Sequence, residues 1–333
     1  MTSKISVFGA GSWGTALAIQ AARNGNQTLL WGHNPEHIAS LKQDRQNKRY
    51  LAGLSFPEAL QLTDNIKEAA QFSDVVLISV PSHAFKETLL KIKPFVSENI
   101  KIAWATKGFN SESGELLNQT VAQVFSPETP AAVLSGPSFA KEVAADLPTA
   151  VTIAATQPAF SDELAELMHS PRFRIYTTDD IISVQVGGAV KNVLAIAAGI
   201  ADGIGFGANT RAALVTRGIA EIIRLNCELG GKQETLMGLS GLGDLILTCT
   251  DNQSRNRRFG LALGQGKDRE QAVHEIGQEV EGISAARETF RLAQEHGIEM
   301  PITEQIYRVL YDGLAPLSAV QNLLQRDQRS ETV

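Results

Sequence analysis

The chain has 333 residues, 43% hydrophobic and 20% charged, an ordinary globular composition in a chain too long for one core, so two domains are expected. A net charge of −6 and a pI near 5.6 exclude the basic footprint of a nucleic-acid-binding domain. An acidic protein that takes anionic ligands must gather its positive charge locally, which makes isolated Lys and Arg in odd surroundings the informative residues.

Lys4–Gly9 predicts a short buried strand, and a helix from about Trp13 to Asn24 follows, ended by Gly25. Lys4, an apolar run and the small residues Ala16, Ala18 and Ala21 give the outline of a signal peptide. However, Gly9, Gly11 and Gly14 break that run as a GxGxxG placed directly between strand and helix. The first glycine permits the tight turn, the second lets backbone approach a pyrophosphate, and the third lets helix pack on strand. The pyrophosphate would then meet unpaired N–H groups at the positive end of the helix dipole. The alternative is a glycine-rich turn without a ligand.

Gln27–Gly32 is the second strand. It ends Leu30-Trp31-Gly32-His33-Asn34, with no Asp or Glu where an NAD-preferring enzyme holds the ribose 2′-OH. Glu36 lies beyond a proline. The missing carboxylate favours NADPH while leaving NADH acceptable. His33, Lys48, Arg49 and Tyr50 are candidates to surround the adenosine ribose, with plain surface charge the alternative for Lys48 and Arg49.

Further short apolar runs are Val75–Val80, Ile100–Thr106, Ala131–Ser135, Ala150–Ala155 and Phe173–Thr177, separated by helical patterns such as Ser82–Ile92 and Ser161–Met168. This alternation predicts an α/β fold: a Rossmann-type, doubly wound, mostly parallel sheet over residues 1–182. Beyond Asp180 only helical periodicity remains. Ser183–Ile200, Arg211–Leu229, Arg255–Leu263, Gly282–His296 and Pro301–Tyr311 predict an all-helical domain over 183–333. Ligands are expected at the carboxyl ends of the strands, where the two domains meet. Ile181–Ala201 is nearly long enough to span a bilayer, but its Gly and Ala content and Gln185, Lys191 and Asn192 mark it as a core helix rather than a membrane span. The two cysteines, Cys227 and Cys249, match no metal or redox spacing and read as buried thiols of a reducing compartment. The histidines show no HExxH or comparable ligand spacing, so no metal is expected.

Lys191 is the only charged side chain between Asp180 and Asp202. Desolvation penalises its charged form, and general acid–base catalysis uses such a group. It can give a proton to the alkoxide formed when a hydride reduces a carbonyl. The alternative is a lysine whose stem carries its charge out to the surface. Lys107 follows a strand and could meet a substrate anion or polarise a carbonyl. Ser135-Gly136-Pro137-Ser138 ends another strand. Asp244, in Gly241-Leu242-Gly243-Asp244, could orient Lys191, accept a substrate hydroxyl, or simply cap a helix. Ser254-Arg255-Asn256-Arg257-Arg258 opens a helix with concentrated charge, a good phosphate site. For Arg257 and Arg258 a solvated face is the alternative.

These residues carry a resemblance. Gly9–Ala16, Ala105-Thr106-Lys107-Gly108, Leu134–Ala140, Val190-Lys191-Asn192, Gly241–Leu245 and Ser254-Arg255-Asn256 form an ordered set, nearly end to end, similar to that of the soluble, bacterial-type NAD(P)-dependent glycerol-3-phosphate dehydrogenase family. The resemblance implies that Lys191 donates and accepts the proton. It implies substrate contacts from Lys107, Gly136, Ser138, Lys191, Asp244, Ser254, Arg255 and Asn256. It implies cofactor contacts from Ser12, Trp13, His33, Tyr50, Lys107, Ala140, Arg255 and Glu281, beside Gly9, Gly11 and Gly14. It also implies a cytoplasmic homodimer that reduces dihydroxyacetone phosphate for phospholipid synthesis. Two rivals stay open: a dehydrogenase of like architecture acting on an unphosphorylated hydroxy acid, and a dinucleotide-binding sensor without chemistry.

Overall fold

A computed structural model describes residues 3–326. Two compact units divide the chain: the first runs to Gly188 and takes back Gly231–Asp244, and the second comprises Ala189–Gly230 and the residues from Leu245 onward.

The first unit alternates strands and helices: β1 (Lys4–Phe8), α1 (Ser12–Arg23), β2 (Gln27–Trp31), α2 (Pro35–Asp44), β3 (Leu60–Thr63), α3 (Ile66–Phe72), β4 (Val75–Ile78), α4 (Ser82–Ile92), β5 (Lys101–Trp104), α5 (Leu117–Val124), β6 (Ala131–Ser135), α6 (Ala140–Ala144), β7 (Thr149–Ala155), α7 (Pro158–Met168) and β8 (Phe173–Thr178). The strands form one sheet in the order β3-β2-β1-β4-β5-β6-β7-β8. All pairings are parallel except β6 with β7, so the expected doubly wound, mostly parallel sheet is present with one reversal. Successive side chains point to opposite faces, and both faces are covered. Val7, Leu30, Leu77, Ala103 and Leu134 pack in one core with Leu17, Ile38 and Leu164. Their neighbours Phe8, Leu29, Ile78, Trp104 and Val133 pack in a second core with Ala69, Phe85 and Val121. Burial on both faces explains why these strands read as continuous apolar runs. β3 escaped the sequence reading because Leu60-Gln61-Leu62-Thr63 is short and half polar.

The 24-residue helix α8 (Ile181–Ile204) runs on into the second unit. It is long and apolar enough to cross a membrane, yet 94% of its most apolar window is buried inside the protein, as the core-helix reading expected. There follow α9 (Ala208–Glu228), α10 (Gln233–Leu236), a π-helical turn (Leu239–Gly243), α11 (Asp244–Thr250), α12 (Arg255–Gly264), α13 (Arg269–Ile276), α14 (Glu281–Glu295), α15 (Pro301–Tyr311) and α16 (Pro316–Leu324). The sequence reading has no helix at α10, α11, α13 or α16; the first two are short, and α13 and α16 each bury a single residue, Ala272 and Ala319. One thiol reading needs correction. Cys249 is buried, but Cys227 is exposed, because it falls on the outer side of α9 just past the buried pair Leu225 and Asn226.

In the second unit α8 and α12 meet glycine to glycine. A Cβ on Gly199 would stand 2.1 Å from Arg257 O, and one on Gly260 would stand 2.1 Å from Ile196 O. Gly203 and Gly264 face each other in the same way, each 2.4 Å from a carbonyl. Two glycines four apart on each helix let the backbones touch, which fixes the start of α12 against α8. That four-residue spacing is in the sequence, where the Gly and Ala content of Ile181–Ala201 marks only a core helix.

Candidate active site

The strand order reverses between β1 and β4, and open α/β sheets hold ligands at that point. Gly9 lies there with φ +119°, and a Cβ on it would sit 2.2 Å from Ser79 O, just after β4. A Cβ on Gly14 would sit 1.9 Å from Gly9 O, so helix and turn touch through backbone. Gly11 differs, for a Cβ there would meet nothing within 4 Å. Gly11 is also the N-cap of α1 and offers no side chain to the first-turn N–H groups. An uncapped helix start facing open space is the cradle a pyrophosphate needs. Ser12 and Trp13 open the helix half-buried, and among the described residues the Trp13 indole nitrogen has no acceptor. The residues present therefore fit a nicotinamide dinucleotide.

The turn is held by two side chains the sequence reading did not single out. Asn47, fully buried, donates to Ala10 O at 3.1 Å and to Thr15 Oγ1 at 2.9 Å. His37 Nε2 lies 3.3 Å from the same carbonyl, which can only accept, so that nitrogen carries the proton. His37 also meets Tyr50 edge to face, with centroids 5.5 Å apart. His33 is exposed just past β2, Lys48 is paired with Asp44 at 2.6 Å, and Arg49 lies over the Tyr50 ring at 5.1 Å.

Beyond β5 and β6 a second group gathers. Lys107 Nζ donates to Asp244 Oδ2 at 2.6 Å and reaches Gly136 O at 3.5 Å. Ser138 Oγ donates to that same carbonyl at 2.9 Å. Gly136 has φ +148°, and a Cβ on it would press Val151 Cα at 3.0 Å, so the strand can turn here only with glycine. Asp244 reaches this group because the preceding π-helical turn packs tightly: a Cβ on Gly241 would stand 2.0 Å from Leu236 O, and one on Gly187 of α8 would stand 2.6 Å from Ser240 O. π-helical turns of this kind recur at functional sites. Ala140 opens α6, half-buried against the sheet core.

In the second unit Lys191 is 6% exposed, and its ammonium donates to Thr248 Oγ1 at 2.9 Å. The reading of its stem carrying the charge to the surface is thus excluded. Thr248 stands four residues after Asp244 on α11 and so shares its face, a spacing that could have flagged it from sequence. Asn192 accepts from Asn256 Nδ2 at 3.0 Å, and Asn256 in turn accepts from Gly282 N at 2.8 Å, which ties α8, α12 and the start of α14 together. Glu281 is the first residue of α14. Ser254 caps α12 by accepting from Arg257 N at 3.2 Å, and Arg255 Nη1 meets Gln278 Oε1 at 3.3 Å.

The basic cluster divides. Arg257 is neither a ligand group nor solvated. It is buried, paired with Asp202, and hydrogen-bonded to Asn252 and to Cys249 O. Its neighbour Arg258 is exposed.

A Rossmann-type sheet with an uncapped glycine turn at its switch point, in a chain that also buries a hydrogen-bonded lysine, defines a nicotinamide-dependent oxidoreductase. The chain belongs to the NAD-dependent glycerol-3-phosphate dehydrogenase family, whose N-terminal model matches residues 4–161 and whose C-terminal model matches 180–321. It is 56% identical over 332 residues to the glycerol-3-phosphate dehydrogenase (NAD(P)+) of Colwellia psychrerythraea, covering 99% of each chain. It is 55% identical over 331 residues to that of Pseudoalteromonas translucida, again covering 99% of each. The crystal structure of glycerol-3-phosphate dehydrogenase from Coxiella burnetii superposes with a TM-score of 0.95 at 50% identity, over 98% of this chain and 99% of that one.

Proposed function

We propose that the chain catalyses reversible hydride transfer between NAD(P)H and dihydroxyacetone phosphate, giving sn-glycerol 3-phosphate. The observation that carries this reading is Lys191, a buried amine fixed on Thr248 in a chain of this family. A bound nicotinamide supplies the hydride in reduction and takes it back in oxidation. Lys191 Nζ gives its proton to the carbonyl oxygen as the carbon is reduced, and the amine recovers it in the reverse direction. Thr248 holds the direction of that nitrogen.

Substrate contacts are assigned to Lys107, Gly136, Ser138, Lys191, Asp244, Ser254, Arg255 and Asn256. Lys107, with Asp244 against it, meets the substrate's oxygens. Ser254 caps α12 with its oxygen and keeps its proton for a phosphate, beside the Arg255 guanidinium and the first-turn N–H groups. Cofactor contacts are assigned to Gly9, Gly11, Ser12, Trp13, Gly14, His33, Tyr50, Lys107, Ala140, Arg255 and Glu281. In this reading residues 1–182 bind the dinucleotide and 183–333 bind substrate. The protein works as a cytoplasmic homodimer and feeds glycerophospholipid synthesis.

The test is loss of NADPH absorbance on adding dihydroxyacetone phosphate to the purified protein. Steady oxidation that needs the substrate's phosphate supports the reading. Oxidation with an unphosphorylated keto acid instead, or none with either, overturns it.

A further inference from the structure

We infer that Arg49 is the specificity-determining residue for the cofactor, binding the 2′-phosphate that separates NADPH from NADH. The inference rests on the dehydrogenase reading above. Three basic residues lie between α2 and β3, and two are already committed. Arg45 donates to Leu60 O at 3.0 Å and Pro57 O at 2.7 Å, and Lys48 is paired with Asp44. Among the described residues Arg49 has no carboxylate partner within 4 Å. Its place is nonetheless fixed. The guanidinium lies over the Tyr50 ring, Tyr50 is met edge-on by His37, and His37 is hydrogen-bonded to Ala10 O inside the glycine turn. A continuous layer thus leads from the pyrophosphate cradle to one exposed cation. No carboxylate ends β2 to repel a phosphate or hold a free 2′-OH, because His33 and Asn34 stand there, and the Asn34 side chain is used to cap α2. A planar guanidinium pairs with phosphate through two parallel hydrogen bonds, which an imidazole cannot offer.

The test is calorimetric binding of 2′,5′-ADP and 5′-AMP, which differ only by that phosphate, to the wild-type protein, R49A, H33A and K48A. R49A should lose roughly tenfold to hundredfold in affinity for 2′,5′-ADP, with 5′-AMP unchanged. Its binding of 2′,5′-ADP should also become less sensitive to salt. H33A and K48A should keep the wild-type ratio of the two affinities. Equal losses for both fragments in R49A, no loss, or a larger change of that ratio in H33A or K48A would each overturn the assignment. Those outcomes leave the dehydrogenase reading standing. A wild-type protein that binds neither fragment nor NADPH sinks both.

Discussion

Lys107 Nζ and Asp244 Oδ2 stand 2.6 Å apart with side chains 13% and 1% exposed. Each charge helps to make the other tolerable there. Removing one partner of such a pair strands the second and costs about 3–5 kcal/mol, whereas replacing both with apolar groups of like volume is often neutral. K107A should therefore lose both stability and turnover. The double variant Lys107→Met with Asp244→Leu should regain part of the thermal stability lost in K107A and none of the activity. Thermal melts beside a turnover assay separate the two roles, and a double variant that turns over would remove the pair from substrate binding.

Lys191 makes a prediction centred on turnover. Its ammonium is buried and donates to Thr248, and a Met of similar length fills the space while removing the proton it could give. K191M should keep the fold, read from its circular-dichroism spectrum, and lose about 10²–10⁴-fold in turnover, the range of general acid–base catalysis. Affinity for NADPH, followed by its fluorescence, should be preserved. A variant with near-normal turnover would take the proton away from Lys191.

Alanine normally stabilises a helix interior by about 0.5–1 kcal/mol relative to glycine. At Gly199 and Gly260 the sign reverses, because each new Cβ would stand 2.1 Å from a carbonyl oxygen of the facing helix. Backbone cannot swing aside as a side-chain end does, so α12 must retreat from α8, at a cost of about 1–3 kcal/mol. The same retreat stretches the Asn192–Asn256 bond at 3.0 Å. G199A and G260A should each lower the melting temperature and raise KM for the phosphorylated substrate more than they change kcat. A G199A protein as stable as wild type would show that the helices do not meet through these glycines.

What was legible in the sequence follows from how local each signal is. The GxGxxG, the buried strands and the lone charge at Lys191 are each carried by a few adjacent residues, so periodicity and spacing expose them. His37 and Asn47 were not legible, because their task is to reach back to Ala10, 27 and 37 residues earlier, and nothing at either end announces the partner. Arg257 was misread for the same reason. Its neighbours suggest a basic surface, while the half-buried Asp202 that claims it lies 55 residues away. Thr248 falls between the two cases, since its spacing from Asp244 was visible but its partner Lys191 was not.

Glu221 of α9 tests the energetics of the second unit away from any ligand. Its carboxyl is buried and accepts from Ile302 N at 2.6 Å, Thr303 N at 3.2 Å and Thr303 Oγ1 at 3.1 Å, so it caps α15 from a neighbouring helix. Burial pushes its pKa up from 4.5 to about 7, against the pull of those three donors and of Arg224. The folded state then binds more protons than the unfolded chain between those two values, so this group's contribution to stability is full below about 4.5 and is lost as pH rises through about 7. The whole effect is at most about 3 kcal/mol. Glu221→Gln keeps an uncharged side chain of the same shape and should be insensitive to pH at this position. Between pH values below 5 and near 8, the wild-type melting temperature should fall relative to that of E221Q. Parallel curves would mean that the three donors hold Glu221 ionised throughout, and that helix α15 is capped by a charge rather than by a neutral acid.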